Sequence, residues 1–420
     1  MTTGQKVVIA LLALSLLAGL VTGGKLYYRL SVFWALLYFG SWFWSLFSLR
    51  GLQFKRSART LRAQVGQIFE ERFEVQNQNR FPRLWLEIRD QTTLPGSDGS
   101  RVVTMVMGRQ ARSYLARVRL MKRGVFPLGP TTIATGDLFG LFPVELEIAG
   151  QDSLLVYPMM VDIKGFPNPP GLLPGGEALR RRTHQVTPNA AGIREYYTGD
   201  PLNRIHWLST ARRGRLMVKE FELDPLADVW IFLDAASNVQ SSLPLAPTDY
   251  YAKDFWTRSG KMPLPPSTEE YSISIAASVV RDYLRRGRAV GMACAGMHVT
   301  LISPDRGGRQ LGKILEALAL TQMKGDLPLR GLIETQVKHM VRGSTVVLIT
   351  PSTFREVGLV VDFLIQRGLK PIVVLLEASS FGGPAGTDLL AESIKLLGIP
   401  YRIVGKDADL SIALSDSYTR

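Results

Sequence analysis

Cysteine is almost missing from this 420-residue chain, with Cys294 the only one. That excludes an intrachain disulfide framework and a multi-cysteine metal site, and it fits a reducing compartment. Cys294 lies between Ala293 and Ala295 at the end of an apolar run, so it reads as core filling. A reactive thiol would need an electropositive, partly exposed setting. Acidic residues are also short, 36 against 50 Lys and Arg, which leaves a formal net charge of +14. A pI near 9.9 favours an anionic neighbour, nucleic acid or an acidic leaflet, and charge alone does not choose between them.

Charge is locally absent as well. Val7 to Val21 carries none, and beyond the Gly23-Gly24-Lys25 break neither does Ser31 to Leu49. This concentration of apolar residues accounts for a mean hydropathy of +0.08, high for a purely soluble chain. The second stretch supplies 19 residues. At 1.5 Å per residue it covers about 28 Å, close to the hydrocarbon thickness of a bilayer. The first is shorter, so Lys6 and Lys25 would snorkel. Tyr27, Tyr28 and Trp34 near one end of the second helix, with Trp42 and Trp44 toward the other, fit interfacial anchors. Ser15, Gly19 and Gly23, and likewise Ser41 and Ser45, recur at the four-residue spacing that lets helices approach closely.

Orientation follows from Arg50, Lys55, Arg56, Arg59 and Arg62 after the second helix, against Lys25 and Arg29 in the hairpin loop. The positive-inside rule puts the body in the cytoplasm, at the inner (plasma) membrane. The rival reading is a cleaved signal peptide over Val7 to Leu20; the second helix would then stop transfer and give the same placement.

The body is mixed α+β. From 51 to 165 the pattern has period two: Tyr114, Ala116, Val118 and Leu120 alternate with polar residues, as do Leu84, Leu86 and Ile88. This predicts a small antiparallel β-sandwich. Residues 166–226 read as a Pro- and Gly-rich linker from Phe166 to Gly176, then a charged segment. From 227 to 420 short apolar runs at Val229 to Leu233, Ala289 to Cys294, Thr345 to Ile349, Ile372 to Leu376 and Tyr401 to Val404 predict buried strands. Between them run helical stripes: Ile273, Ala276, Ala277, Val280 and Leu284, opened by a Ser267/Glu270 capping box; Leu311, Ile314, Leu315 and Leu318; Val357, Val360, Val361 and Leu364; Leu390, Ile394 and Leu397. Gly287, Gly368 and Gly398 mark stops. The rhythm predicts a doubly wound, mostly parallel α/β domain.

In such a sheet ligands bind beyond the strand C-termini, which points to Asp234-Ala235-Ala236-Ser237-Asn238. Asp234 with Ser237 and Asn238 could offer oxygen ligands to Mg²⁺, but there is one carboxylate and alanine occupies the middle position. The alternative is an Asp234 that hydrogen-bonds its own loop. The segment from Ile193 to Glu222 mixes both signs of charge with aromatics, as a packed, salt-bridged strap would, with Asp200 and Arg204 or Arg212 as a candidate pair. A catalytic reading would make His206 a general base oriented by Asp200, yet no nucleophile or second histidine completes it, and packing of His206 beside Trp207 is expected. No catalytic residue is therefore assigned. Arg180-Arg181-Arg182 and Arg212-Arg213-x-Arg215 are basic clusters without a nucleic-acid motif, and an anionic membrane surface is the preferred use.

One stretch carries a resemblance: Arg194-x-Tyr196-x-x-Gly199-Asp200-x-x-x-Arg204-Ile205-x-Trp207-x-x-x-Ala211-Arg212, then Leu216-x-Val218-Lys219-Glu220. Upstream stand Arg123-Gly124-x-x-x-Leu128-Gly129-Pro130 and Gly136-Asp137-Leu138-Phe139-Gly140-Leu141-Phe142. Together they resemble the family catalogued as domain of unknown function 58. The resemblance implies a C-terminal domain similar to von Willebrand factor A modules, whose metal site begins Asp-x-Ser-x-Ser. Asp234 matches that motif, while Ala236 and Asn238 replace the serines. The family is often encoded beside MoxR-type AAA+ ATPases. The resulting expectation is a non-enzymatic scaffold or adaptor at the cytoplasmic face, with the bilayer and such an ATPase as partners and no cofactor or nucleic acid. The alternatives are a metal-dependent hydrolase using Asp234 and a nucleic-acid-binding protein.

Overall fold

The structure is a computed structural model and describes residues 1–97, 99–168, 190–197, 205–221, 228–244 and 264–415. Two compact units are distinguished, one formed mainly by residues 1–159 and the other beginning at residue 160.

The first unit opens with α1 (Thr3–Thr22) and α2 (Lys25–Ser48), both long and apolar enough to cross a membrane by length and composition. A capping box starts α1: the Gln5 N–H donates to Thr2 Oγ1 at 3.2 Å and the Thr2 N–H donates to Gln5 Oε1 at 2.9 Å. The two helices pack through small side chains, with Ser15, Gly19, Ser31, Ser41 and Ser45 all buried. The Ser31 hydroxyl donates to Ser15 Oγ at 3.2 Å. Leu14, Leu36, Phe39 and Phe43 are exposed. Past α2 the chain is clamped to the strands that follow, because the Arg50 carbonyl accepts from Asn79 Nδ2 at 2.6 Å and from an Arg83 guanidinium N–H at 2.7 Å.

Those strands are β1 (Leu52–Ala58), β2 (Arg62–Gln64), β3 (Ile68–Asn77), β4 (Arg83–Asp90), β5 (Arg101–Val106), β6 (Ala111–Arg119), β7 (Gly124–Leu128), β8 (Thr131–Thr135), β9 (Val144–Ile148) and β10 (Asp152–Tyr157). They make three sheets, ordered β1-β3-β6, β2-β10-β7 and β5-β4-β8-β9. All pairings are antiparallel except β2 with β10. The expected alternation is present in β3, where every second residue is buried. Phe73 and Val75 from β3 share a core with Leu86 and Ile88 of β4, Val106 of β5 and Ile133 of β8, so two of the sheets face each other. Beside that core, Arg56 bridges Glu71 at 2.8 Å and Asp90 at 2.9 Å, and both carboxylates are nearly inaccessible.

The second unit takes up the chain six residues before the expected boundary at 165/166. Residues 160–168 pack on a helix of that unit: Phe166 is buried edge-on to Tyr283, and the Tyr283 hydroxyl donates to the Pro167 carbonyl at 2.6 Å. The start of the expected linker is thus a packed segment, because Phe166 supplies an apolar anchor that the Pro and Gly count obscures. The rest of the linker lies outside the described residues. Then come β11 (Ala190–Glu195), α3 (Trp207–Arg213) and β12 (Met217–Phe221), with β11 and β12 paired antiparallel.

The large sheet contains β13 (Val229–Leu233), β14 (Val290–Ala295), β15 (Val299–Asp305), β16 (Thr345–Thr350), β17 (Lys370–Leu376) and β18 (Tyr401–Val404). Their order is β15-β14-β13-β16-β17-β18, parallel throughout except for β15 at one edge. All five expected strands are present. Between them lie α4 (Thr268–Arg285), α5 (Gly307–Leu320), α6 (Leu329–Gln336), α7 (Glu356–Gln366) and α8 (Thr387–Leu396). Trp230, Phe232, Val346, Leu348, Val373 and Leu375 form one core with buried residues of α6, α7 and α8, while α4 packs on β13, β14, β16 and β17. Ser267 is the N-cap of α4, but its side chain makes no capping hydrogen bond, which corrects the capping-box expectation. The glycine stops hold, with Gly287, Gly368 and Gly398 all at positive φ.

Candidate functional site

Two regions bear on function: the C-terminal end of β13 and the β11-α3-β12 segment. At the first, Asp234 continues the strand, its N–H donating to the Ile349 carbonyl at 3.0 Å. Its side chain is buried, and Oδ2 accepts from the Thr350 hydroxyl at 2.6 Å while Oδ1 faces the Ala236 N–H at 3.4 Å. Thr350 is itself fully buried, and its Oγ1 accepts from the Ser352 N–H at 2.9 Å. The Asp234 carbonyl accepts from Gln240 Nε2 at 2.9 Å, and the Thr268 hydroxyl donates to Gln240 Oε1 at 2.8 Å. Burial pushes the Asp234 carboxyl above its ordinary range, and the bonds from Thr350 and Ala236 only partly oppose it.

A divalent cation fits this donor set poorly. Hard cations take several oxygen ligands with compensating negative charge. Asp234 is one carboxylate in a setting that favours its proton, with both oxygens engaged. Ser237 and Asn238 stand on an exposed 3₁₀ turn, and no group of three or more His, Cys, Asp or Glu that could hold a metal occurs among the described residues. The arrangement matches the alternative reading, in which Asp234 ties together the loops after β13 and β16. Cys294, on the adjacent strand β14, is buried with its thiol pushed up to about 12 by that burial, as core filling requires.

At the second region, Ile205, Met217 and Val218 are buried and hold the segment together, helped by the His206 N–H donating to the Met217 carbonyl at 2.8 Å. His206 caps α3: its Nδ1 accepts from the Ser209 N–H at 3.2 Å and lies 2.8 Å from Ser209 Oγ. A ring nitrogen held this way serves the helix terminus. Trp207 is 68% exposed, and Leu208 and Tyr197 are similarly open at 61% and 69%. Arg212 and Arg213 end α3 and are exposed, Arg194 lies over the Tyr197 ring at 5.7 Å, and Arg215 pairs with Glu195. The Tyr196 N–H bonds the Leu216 carbonyl at 2.9 Å. Lys219 and Glu220 sit in β12, while Gly199, Asp200, Arg204 and the Asp200 ion pair lie outside the described residues.

One residue of the upstream signature has a role that the sequence reading left unassigned. Asp137, between β8 and β9, is buried and accepts from the Phe139 N–H at 3.0 Å and the Phe142 N–H at 2.7 Å. Its partners are backbone groups, so no side-chain pattern announces it.

Comparison with known proteins bears on the same region. Residues 192–243 match the family described as Protein of unknown function DUF58. The uncharacterized protein YeaD of Bacillus subtilis (strain 168) is 22% identical over 315 residues, 73% of this chain and 72% of that protein. Among solved structures, the CARDB domain of the PF1109 protein of Pyrococcus furiosus is 9% identical, covering 25% of this chain and 91% of that one at a TM-score of 0.18. A β-glucosidase from Listeria innocua, also 9% identical, covers 24% and 16% at 0.15. Likeness at that level assigns neither fold nor function. The family match falls on the β11-α3-β12 segment and runs through Asp234, and with the YeaD relationship it supports the DUF58 family for this chain.

Proposed function

We propose that the chain is a membrane-tethered, non-enzymatic scaffold or adaptor at the cytoplasmic face, working with a MoxR-type AAA+ ATPase in the assembly or maturation of partner proteins. The observation that carries this reading is the exposed Tyr197, Trp207 and Leu208 on one short segment that also presents Arg212 and Arg213. Tyr, Trp and Arg are the residues that dominate protein–protein binding energy. The tether in this reading is α1 and α2, and the basic residues after α2 support a body on the cytoplasmic side.

In this reading the second unit is a doubly wound, von Willebrand factor A-like domain. Numbered within the six-stranded sheet, its strand order is 3-2-1-4-5-6, a doubly wound order, and the antiparallel strand is confined to an edge. The domain serves as a docking body. The poor cation donor set at Asp234 argues against ligand capture through a metal.

The test is co-purification of the full-length chain from detergent-solubilised membranes with the neighbouring AAA+ ATPase, with ATP, with ADP and without nucleotide. Association that weakens in Trp207→Ala and Arg212→Ala/Arg213→Ala supports the reading. No association in any nucleotide state sinks it. Protease accessibility in inverted vesicles checks the side: the body should be cut there and protected in right-side-out vesicles.

A further inference from the structure

The β8–β9 loop contains Gly136-Asp137-Leu138-Phe139-Gly140-Leu141-Phe142-Pro143, with no charge from Leu138 through Val144. Half of its large side chains hold the hairpin. Leu141 is buried, its Cδ2 within 3.0 Å of where a Cβ on Gly4 would stand, and its carbonyl accepts from the Thr2 hydroxyl at 3.0 Å. A Cβ at position 4 would press on the Leu141 side chain. Phe142 meets Tyr38 edge-on with ring centroids 5.1 Å apart. The other half point away: Leu138 is 68% and Phe139 64% exposed.

These contacts fix the depth of the loop along the hairpin. Tyr38 lies ten residues before Ser48, the end of α2. At 1.5 Å per residue that is about 15 Å up the helix from its body end. Thr2 and Gly4 stand at the start of α1. The loop is therefore level with the hairpin's apolar surface, at the turn of α2 that carries Tyr38 and exposed Phe39, and above Arg50. Its backbone suits such a place. Polar groups that leave water need internal partners, and the Asp137 carboxylate takes up the Phe139 and Phe142 N–H groups while the Asp137 carbonyl takes the Gly140 N–H at 3.3 Å. Gly140, at φ +67, makes the turn that lets both halves of the loop face opposite ways.

We infer that this loop is a second membrane contact: Leu138 and Phe139 dip into the headgroup–acyl boundary of the cytoplasmic leaflet alongside the hairpin. The occupant is lipid, because the loop's exposed apolar side chains continue the apolar surface of α2, whose length and composition suit a bilayer. The inference rests on the membrane-spanning reading of α1 and α2, and the experiment separates the two.

Full-length protein carrying Cys294→Ala receives one cysteine at a time, Leu138→Cys, Phe139→Cys, Leu36→Cys or Leu396→Cys, labelled with the polarity-sensitive NBD fluorophore. It is reconstituted into phosphatidylcholine vesicles with a minority of phosphatidylglycerol, with and without brominated acyl chains. Leu36 and Leu396 are exposed, one in mid-hairpin and one on α8. The expected result is blue-shifted emission, lost to the brominated lipid, at 138, 139 and 36, with neither effect at 396. Quenching at 36 without quenching at 138 and 139 overturns the loop contact and leaves the anchor standing. No quenching at 36 overturns the anchor and the loop contact together. A blue shift at 138 and 139 without lipid quenching means burial against a second protein copy, and also overturns the inference.

Discussion

The hairpin and α4 use the same backbone with opposite distributions of side chains. α4 buries Tyr271, Ile273, Ala276, Ala277 and Val280 and leaves Arg285 exposed. α2 buries Ser31, Ser41, Ser45 and Ser48 and exposes Leu36, Phe39, Phe43 and Leu46. In water an amphipathic helix gains by hiding its apolar stripe. In lipid there is nothing to hide, and close approach through small residues decides how helices meet. The difference is the one expected if α1 and α2 span a bilayer and α4 faces water, and it shows in which side chains each helix buries as well as in their hydrophobicity.

The contrast extends to charge. The sandwich buries Arg56, but between Glu71 and Asp90 and over the Phe73 ring at 5.0 Å. Arg56→Met keeps most of the apolar stem and strands two buried carboxylates, so it should cost about 3–5 kcal/mol in denaturant unfolding of the full-length protein. A loss below about 1 kcal/mol would mean water reaches the pair. The hairpin has no such compensation. Leu36→Asp should cost about 2.5–3.5 kcal/mol of insertion free energy, seen as chain lost from the membrane fraction. Unchanged fractionation would break the two-solvent comparison. Ser31→Leu sharpens it, because the variant is more apolar yet must wedge against Ser15; helix packing should weaken by about 1–3 kcal/mol in SDS titration of the detergent-solubilised protein.

How much of this could be read from the residues depends on where each signal lies. The five parallel strands were legible because strands covered on both faces become uninterrupted apolar runs, such as Val229 to Leu233. The helix stripes and their glycine stops were legible for the same local reason. β15 was missed: it is an antiparallel edge strand whose exposed Val299 and Leu301 mimic a loop with scattered apolar residues. α6, eight residues long, is too short for a periodic pattern to stand out. At the candidate sites, Asp234 was found by its place after β13, but the hydroxyl that engages it comes from Thr350, 116 residues later. Sequence distance hides such a pair. The exposure of Trp207 was unreadable because its neighbours give equal grounds for packing and for display.

Asp234 offers a smaller effect that depends on pH. Because burial raises its pKa, the folded chain holds that proton more tightly than the unfolded chain does. The resulting stability is fully present below the ordinary carboxylate range, near about 3.9, and is lost as pH rises through the raised value. Asp234→Asn has no such proton and keeps an oxygen for the Thr350 hydroxyl. The stability of wild type minus variant should therefore fall from acid toward neutral pH in paired urea melts. Parallel curves would show that Asp234 titrates as an ordinary surface carboxyl.

The smallest effect on folding separates docking from packing. Trp207 is the first residue of α3, follows the His206 cap and is more than two-thirds exposed, so its indole contributes little to the fold. Trp207→Ala should shift the unfolding free energy by no more than about 0.5 kcal/mol. A buried aromatic would cost about 3–5 kcal/mol on the same substitution. If Trp207 is an anchor for a partner, the same variant should weaken that association by at least about 2 kcal/mol, roughly thirtyfold. The two measurements must diverge for the docking reading to stand, since a variant that melts early and also binds poorly has lost its shape, and one that melts and binds like the parent never used this face.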